Sequence, residues 1–93
     1  MTSEKNSIFK VRLSRRAENY IKRVDRKMQK RIAIAIETIR RNPLRGPHIK
    51  ALEASEEDYR YYLGNLRIVY TVNLNEKVIN ISSIGPRGDI YKK

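Results

Sequence analysis

The chain has 93 residues and a formal net charge of +11, from 21 Lys and Arg against 10 Asp and Glu. It contains no cysteine, which excludes disulfide stapling and thiol chemistry, and no apolar run approaches the roughly 20 residues that span a bilayer. With 40% hydrophobic residues, one folded domain across residues 1–93 is expected rather than a disordered tail, and the surplus charge calls for a polyanionic or acidic partner.

Met1 to Asn6 is polar and lacks the apolar core of a secretory signal, so a cytoplasmic protein is expected. Ile8 to Leu13 alternates, with Phe9, Val11 and Leu13 on one side and Lys10 and Arg12 on the other, which predicts a strand. Ser14 then reads as the N-cap of a helix carrying Ala17, Tyr20 or Ile21, and Val24 at helical spacing. Asp25 caps a second helix whose apolar stripe is Met28, Ile32, Ala35, Ile36 and Ile39. Lys27, Lys30, Arg31, Arg40 and Arg41 cover the rest of that helix, and Asn42-Pro43 stops it.

From Leu44 to Asp58 there is no regular period. Gly46-Pro47 marks a turn, and the segment reads as a loop with one short helical turn at Ile49 to Ala54. His48, the one histidine, is expected at the surface there, and the acidic cluster Glu53, Glu56, Glu57 and Asp58 lacks a histidine that would make it a metal site. Three strands follow, at about Tyr59–Leu63, Leu66–Asn73 and Lys77–Ile84. Gly64-Asn65 is a two-residue hairpin signal with glycine first, as a type II′ turn prefers. The expected fold is α+β, in the order β-α-α-β-β-β, with two N-terminal helices packed on one face of a mostly antiparallel four-stranded sheet.

Register decides which side chains share a face. If Gly64-Asn65 is the loop, Leu63 opposes Leu66, Tyr62 opposes Arg67, Tyr61 opposes Ile68 and Arg60 opposes Val69. The next hairpin then pairs Tyr70 with Ile81, Val72 with Ile79 and Arg67 with Ile84. One face collects Tyr59, Tyr61, Leu63, Leu66, Ile68, Tyr70, Val72, Ile79 and Ile81, a core against the helices. The other collects Arg60, Tyr62, Arg67 and Val69 with Asn80 and Ser82; Arg87 emerges beside Arg67, and Tyr91 is within reach if the tail folds back. Guanidinium groups grip phosphate through a bidentate fork and tyrosine stacks on bases, so this face suits a phosphate backbone.

The stretch Tyr59-Arg60-Tyr61-Tyr62-Leu63-Gly64-Asn65-Leu66-Arg67-Ile68-Val69-Tyr70 resembles the signature hairpin of the RelE/ParE toxin superfamily. Members often read aromatic-Arg-x-Arg-x-Gly-(Asp/Asn)-Tyr-Arg-x-x-Tyr there. The ending Ile84-Gly85-Pro86-Arg87-Gly88-Asp89-Ile90-Tyr91 is similar to the family's closing segment, and the helix pair and Leu44-Arg45-Gly46 also fit.

The resemblance implies the toxin of a type II toxin–antitoxin pair, monomeric alone and hetero-oligomeric with its cognate antitoxin. A RelE-type member enters the ribosomal A site and cuts mRNA by attack of a ribose 2′-hydroxyl on the adjacent phosphate, with no cofactor or metal. By position, Arg67 would stabilise the scissile phosphate, Arg87 would clamp it or protonate the leaving oxygen, Tyr91 would orient or stack on a base, and Arg60 matches a basic position opening the hairpin. Tyr62 stands where RelE-type enzymes commonly carry a second Lys or Arg, which leaves the general base unassigned. Lys27, Lys30, Arg31, Arg40, Arg41 and Arg45 are candidate contacts to ribosomal RNA backbone. The alternative within the same superfamily is a ParE-type toxin that binds DNA gyrase without nuclease chemistry; a basic RNA-binding domain with a degenerate site is the third.

Overall fold

The computed structural model describes residues 9–51 and 58–86. In chain order the elements are β1 (Lys10–Leu13), α1 (Arg15–Arg23), α2 (Arg26–Arg41), β2 (Ile49–Ala51), β3 (Asp58–Leu63), β4 (Leu66–Asn73) and β5 (Val78–Pro86). Both helices start at the expected caps. Ser14 Oγ accepts from the Ala17 N–H at 3.0 Å, and Asp25 Oδ1 accepts from the Met28 N–H at 2.9 Å, each satisfying a donor that the helix leaves open. Helix α2 ends at Asn42, whose N–H bonds to the Thr38 carbonyl at 3.2 Å, and Pro43 prevents continuation.

The strands form one five-stranded sheet in the order β1-β5-β4-β3-β2. Strand β1 runs parallel to β5; the other pairings are antiparallel. This corrects the expected four strands, because Ile49–Ala51 is a strand rather than a helical turn. Its register, Ile49 to Tyr61, Lys50 to Arg60 and Ala51 to Tyr59, gives its backbone groups partners on β3. The Tyr62 N–H reaches the His48 carbonyl at 2.8 Å and extends that pairing by one bond.

The β3–β4 register is the one the two-residue loop requires, from Leu63 opposite Leu66 to Arg60 opposite Val69. Gly64 has φ +60, while Asn65 is not among the positive-φ residues, which fits a type II′ turn and not type I′. The β4–β5 register holds for Tyr70 with Ile81 and Val72 with Ile79, then shifts between Val69 and Tyr70. Ser82 is the extra residue, so Arg67 opposes Gly85 rather than Ile84, and Ile84 opposes Ile68. The bulge therefore turns Ile84 into the core, where it is 5% exposed. It is pinned from the β1–α1 junction: Ser14 Oγ donates to the Ser82 carbonyl at 2.8 Å and the Ser14 N–H to the Ile81 carbonyl at 2.9 Å.

Both helices cover one face of the sheet. Ala17, Ile32, Ala35 and Ile39 meet Tyr61, Leu66, Ile68, Tyr70, Ile79, Ile81 and Ile84, all buried. Tyr59, half-buried, stacks on Tyr70 with ring centroids 5.7 Å apart. The fully buried Tyr70 hydroxyl donates to the Pro43 carbonyl at 2.7 Å and ties the end of α2 to the middle of the sheet. Burial pushes this phenol well above its ordinary range, and Tyr59 and Tyr61 add to the same shift.

Candidate nucleic-acid interface

The sheet face away from the helices is built by the odd-even alternation of the strands. Strand β4 contributes Arg67, Val69 and Thr71; β3 contributes Asp58, Arg60 and Tyr62 opposite them; β5 contributes Asn80, Ser83 and Gly85. One row across the sheet thus reads Tyr62, Arg67, Gly85, and the next reads Lys50, Arg60, Val69, Ser83. Glycine at position 85 means that no β5 side chain competes with the Arg67 guanidinium for space.

Arg67 is held rather than projected. Its Cζ lies 5.2 Å from the centroid of the Tyr62 ring, a cation–π contact, and the residue is only 4% exposed. The sequence placed it on an open face; the structure makes it the floor of that face, because it sits on a central strand under an aromatic ring. Arg60 Nη1 donates to the Tyr62 hydroxyl at 3.2 Å. Tyr62 therefore contacts both guanidinium groups, one through its ring and one through its oxygen. Two like charges are kept in defined positions by one phenol, and the repulsion between them is offset by the π face and the oxygen lone pair.

A groove of about 270 Å³ opens beside this cluster, lined by Lys50, Ala51, Arg60 and Tyr62. Lys50 was not singled out from the sequence, because residues 49–51 gave no strand pattern; once β2 is recognised, its register puts Lys50 across from Arg60. Lys10 and Arg12 were likewise missed. They reach the same face because β1 lies parallel to β5, with Lys10 opposite Val78 and Arg12 opposite Asn80. Only the alternation of Ile8 to Leu13 hinted that they share a side.

Arg87 and Tyr91 lie outside the described residues. Lys27, Lys30, Arg31, Arg41 and Arg45 are exposed, and the helical ones lie on α2, which packs against the opposite face of the sheet. Arg31 alone approaches the hairpin, its Nη2 lying 3.4 Å from where a Cβ on Gly64 would be. Arg40 is committed to structure: it contacts Glu37 at 2.9 Å and donates through Nε to the Phe9 carbonyl at 3.2 Å. Arg41 lies 3.6 Å from the same Glu37. His48 is exposed, its ring 5.5 Å from that of Tyr61. Among the described residues no helix is long and apolar enough to cross a membrane, and no group of three His, Asp or Glu side chains is placed to hold a metal ion.

The sequence and the fold have counterparts among known proteins. Residues 11–91 match the family model described as ParE toxin of type II toxin–antitoxin system, parDE. The chain is 31% identical over 86 residues to a protein named "Putative toxin RelE1" from Methanocaldococcus jannaschii, covering 90% of this chain and 96% of the relative. In fold it is similar to a chain of the archaeal RelE–RelB complex from Pyrococcus horikoshii OT3, with a TM-score of 0.74 at 24% identity over 88% of this chain and 98% of that one. The isolated RelE toxin of E. coli also has a TM-score of 0.74, at 17% identity over 89% of this chain and 90% of that one. With its signature hairpin in the expected register and its length matched almost throughout, the chain belongs to the RelE/ParE superfamily of type II toxin–antitoxin toxins.

Proposed function

We propose that this toxin is a ribosome-dependent endoribonuclease of RelE type that cleaves mRNA in the A site and is silenced by a cognate antitoxin. The observation that carries this reading is the Arg60–Tyr62–Arg67 cluster, two guanidinium groups fixed on adjacent strands through one tyrosine on a basic sheet face. In this mechanism a ribose 2′-hydroxyl loses its proton to solvent and its oxygen bonds to the neighbouring phosphorus, while the P–O5′ bond breaks and the 5′-oxygen takes up a proton as it leaves, giving a 2′,3′-cyclic phosphate. The protein supplies position and charge. Arg67 stabilises the extra negative charge on the non-bridging oxygens, which needs a preorganised cation and no proton transfer. Arg60 steadies the substrate backbone beside it. Arg87 protonates the leaving oxygen or clamps the phosphate, and Tyr91 orients the base. Tyr62 acts as the brace between the arginines rather than as the base, since its ring and oxygen are both engaged. None of these steps calls on a metal ion.

The antitoxin reading draws on the relatives, whose solved structures include RelE–RelB complexes, and on the charge of +11. An acidic amphipathic segment fits such a surface, and its binding should weaken as salt rises. The test of the nuclease reading is translation with purified ribosomes followed by mapping of mRNA ends. Cuts inside A-site codons that disappear with Arg67→Ala are expected. Intact mRNA together with inhibited DNA gyrase would replace this reading with the ParE-type one.

A further inference from the structure

Beyond the scissile phosphate, we propose that the groove between β2 and β3 is a second phosphate subsite, in which Lys50 and Arg60 bind the phosphodiester adjacent to the one held at Arg67. It rests on the nuclease reading only in naming single-stranded RNA as the polymer. Four observations carry it. Lys50 and Arg60 are directly opposed across the β2–β3 ladder, so their side chains leave the same face from backbones about 5 Å apart. Together with Tyr62 and Ala51 they line a cavity of about 270 Å³, roomy enough for a phosphate group. Arg60 lines the groove and its Nη1 donates to the hydroxyl of Tyr62, the residue that also contacts Arg67, so the groove adjoins the Arg67 position through Tyr62. Lys50 is exposed and takes part in no ion pair among the described residues, so its ammonium is available to a ligand.

The spacing also suits a polymer. Arg60 and Tyr62 are two residues apart on one strand, about 7 Å along it, and Arg67 lies across from Tyr62. A chain with its scissile phosphate at Arg67 meets the Lys50–Arg60 pair one step further on. Strand β2 is the edge of the sheet, so the polymer can leave over it without crossing another strand. Lysine suits this place as a flexible point charge that tolerates several phosphate poses, while the arginine fork fixes geometry at the reacting centre.

The test is a coupling measurement with trinucleotides. The probe is a 2′-deoxy trinucleotide, which lacks the nucleophile and is not cut. Two analogues each replace one of its phosphodiesters by a neutral methylphosphonate. Binding of all three to the wild-type chain and to Lys50→Ala is followed by amide chemical shifts, which read weak affinities. Lys50→Ala should weaken the fully charged probe roughly three- to fivefold, the size of one exposed ion pair. It should have no effect on one of the two methylphosphonate analogues, which marks the phosphate that Lys50 touches. Lys50→Arg should restore binding, and thermal unfolding of Lys50→Ala should match wild type. The same loss for all three probes, no loss for any, or no binding by the wild-type chain overturns the subsite. Ribosome-dependent cleavage is scored separately. If cleavage is absent while the coupling is present, the nuclease reading falls and the subsite stands; unaltered cleavage without coupling does the reverse.

Discussion

Two basic surfaces among the described residues are built differently. On the open sheet face the cations are restrained: Arg67 lies beneath the Tyr62 ring at 4% exposure, and Arg60 is bonded to the same tyrosine. On the outer side of α2, Lys27, Lys30 and Arg31 stand exposed, while Arg40 and Arg41 share Glu37. A charge fixed in a partly dry place interacts strongly with an anion in one position. A charge on a long solvated side chain attracts any polyanion weakly and is screened by salt. The same residue types thus suit chemistry on one side and diffuse adhesion on the other.

The sharpest way to break this contrast is Arg67→Ala. Loss of one preorganised cation at the reacting phosphate should lower A-site cleavage by about 100- to 1,000-fold, while ribosome cosedimentation changes little. Arg67→Lys should recover only part of that loss, because the ammonium lacks the planar fork. Equal losses in cleavage and ribosome binding would show that the two surfaces are not distinct in role.

Tyr62 tests whether restraint itself matters. Tyr62→Phe keeps the ring over Arg67 and removes only the acceptor for Arg60, so cleavage should fall a few-fold. Tyr62→Ala removes both contacts and should cost about tenfold or more. A tyrosine acting as the base would instead give Phe and Ala variants that are equally inactive, with a changed pH–rate profile.

Between the surfaces lies Tyr70, on the same strand as Arg67 but facing the core. Tyr70→Phe leaves the Pro43 carbonyl without its donor and should destabilise the fold by about 1–2 kcal/mol in urea unfolding. The sign with pH follows from its raised pKa. The folded state favours the neutral phenol, so the stabilisation is complete below about pH 10, the unfolded value, and is lost as pH rises above it. The wild-type advantage over Tyr70→Phe should therefore shrink in strong alkali.

The smallest effects are expected on the helix. Single Lys27→Ala, Lys30→Ala or Arg31→Ala changes should weaken ribosome association about twofold each, with a lower salt dependence and an unchanged cleavage rate on the bound ribosome.

Much of the sheet face was legible in the sequence because a two-residue loop admits few registers. Gly64-Asn65 was enough to place Tyr62 opposite Arg67 and Arg60 opposite Val69. The second hairpin was read correctly only as far as Tyr70, since the reading assumed unbroken alternation and the extra residue Ser82 breaks it, so that Ile81 and Ile84, three apart, both face the core. Strand β2 was hidden for another reason. Three residues between a Gly-Pro turn and an acidic run carry no measurable period, and their extended conformation is imposed by pairing with β3. Lys10 and Arg12 could be assigned a side but not a neighbour, because β1 pairs with a strand at the far end of the chain.

That last pairing has a consequence for how the toxin comes into being. Lys10 to Leu13 find their partners only at Val78 to Ile81, and Arg67 acquires its β5 neighbour only at Gly85. Synthesis delivers the first strand long before the last, and such distant closure is slow. A nascent copy that stops short of β5 cannot finish the sheet, so the face that carries Arg67 is assembled only once residues 78–86 have been made.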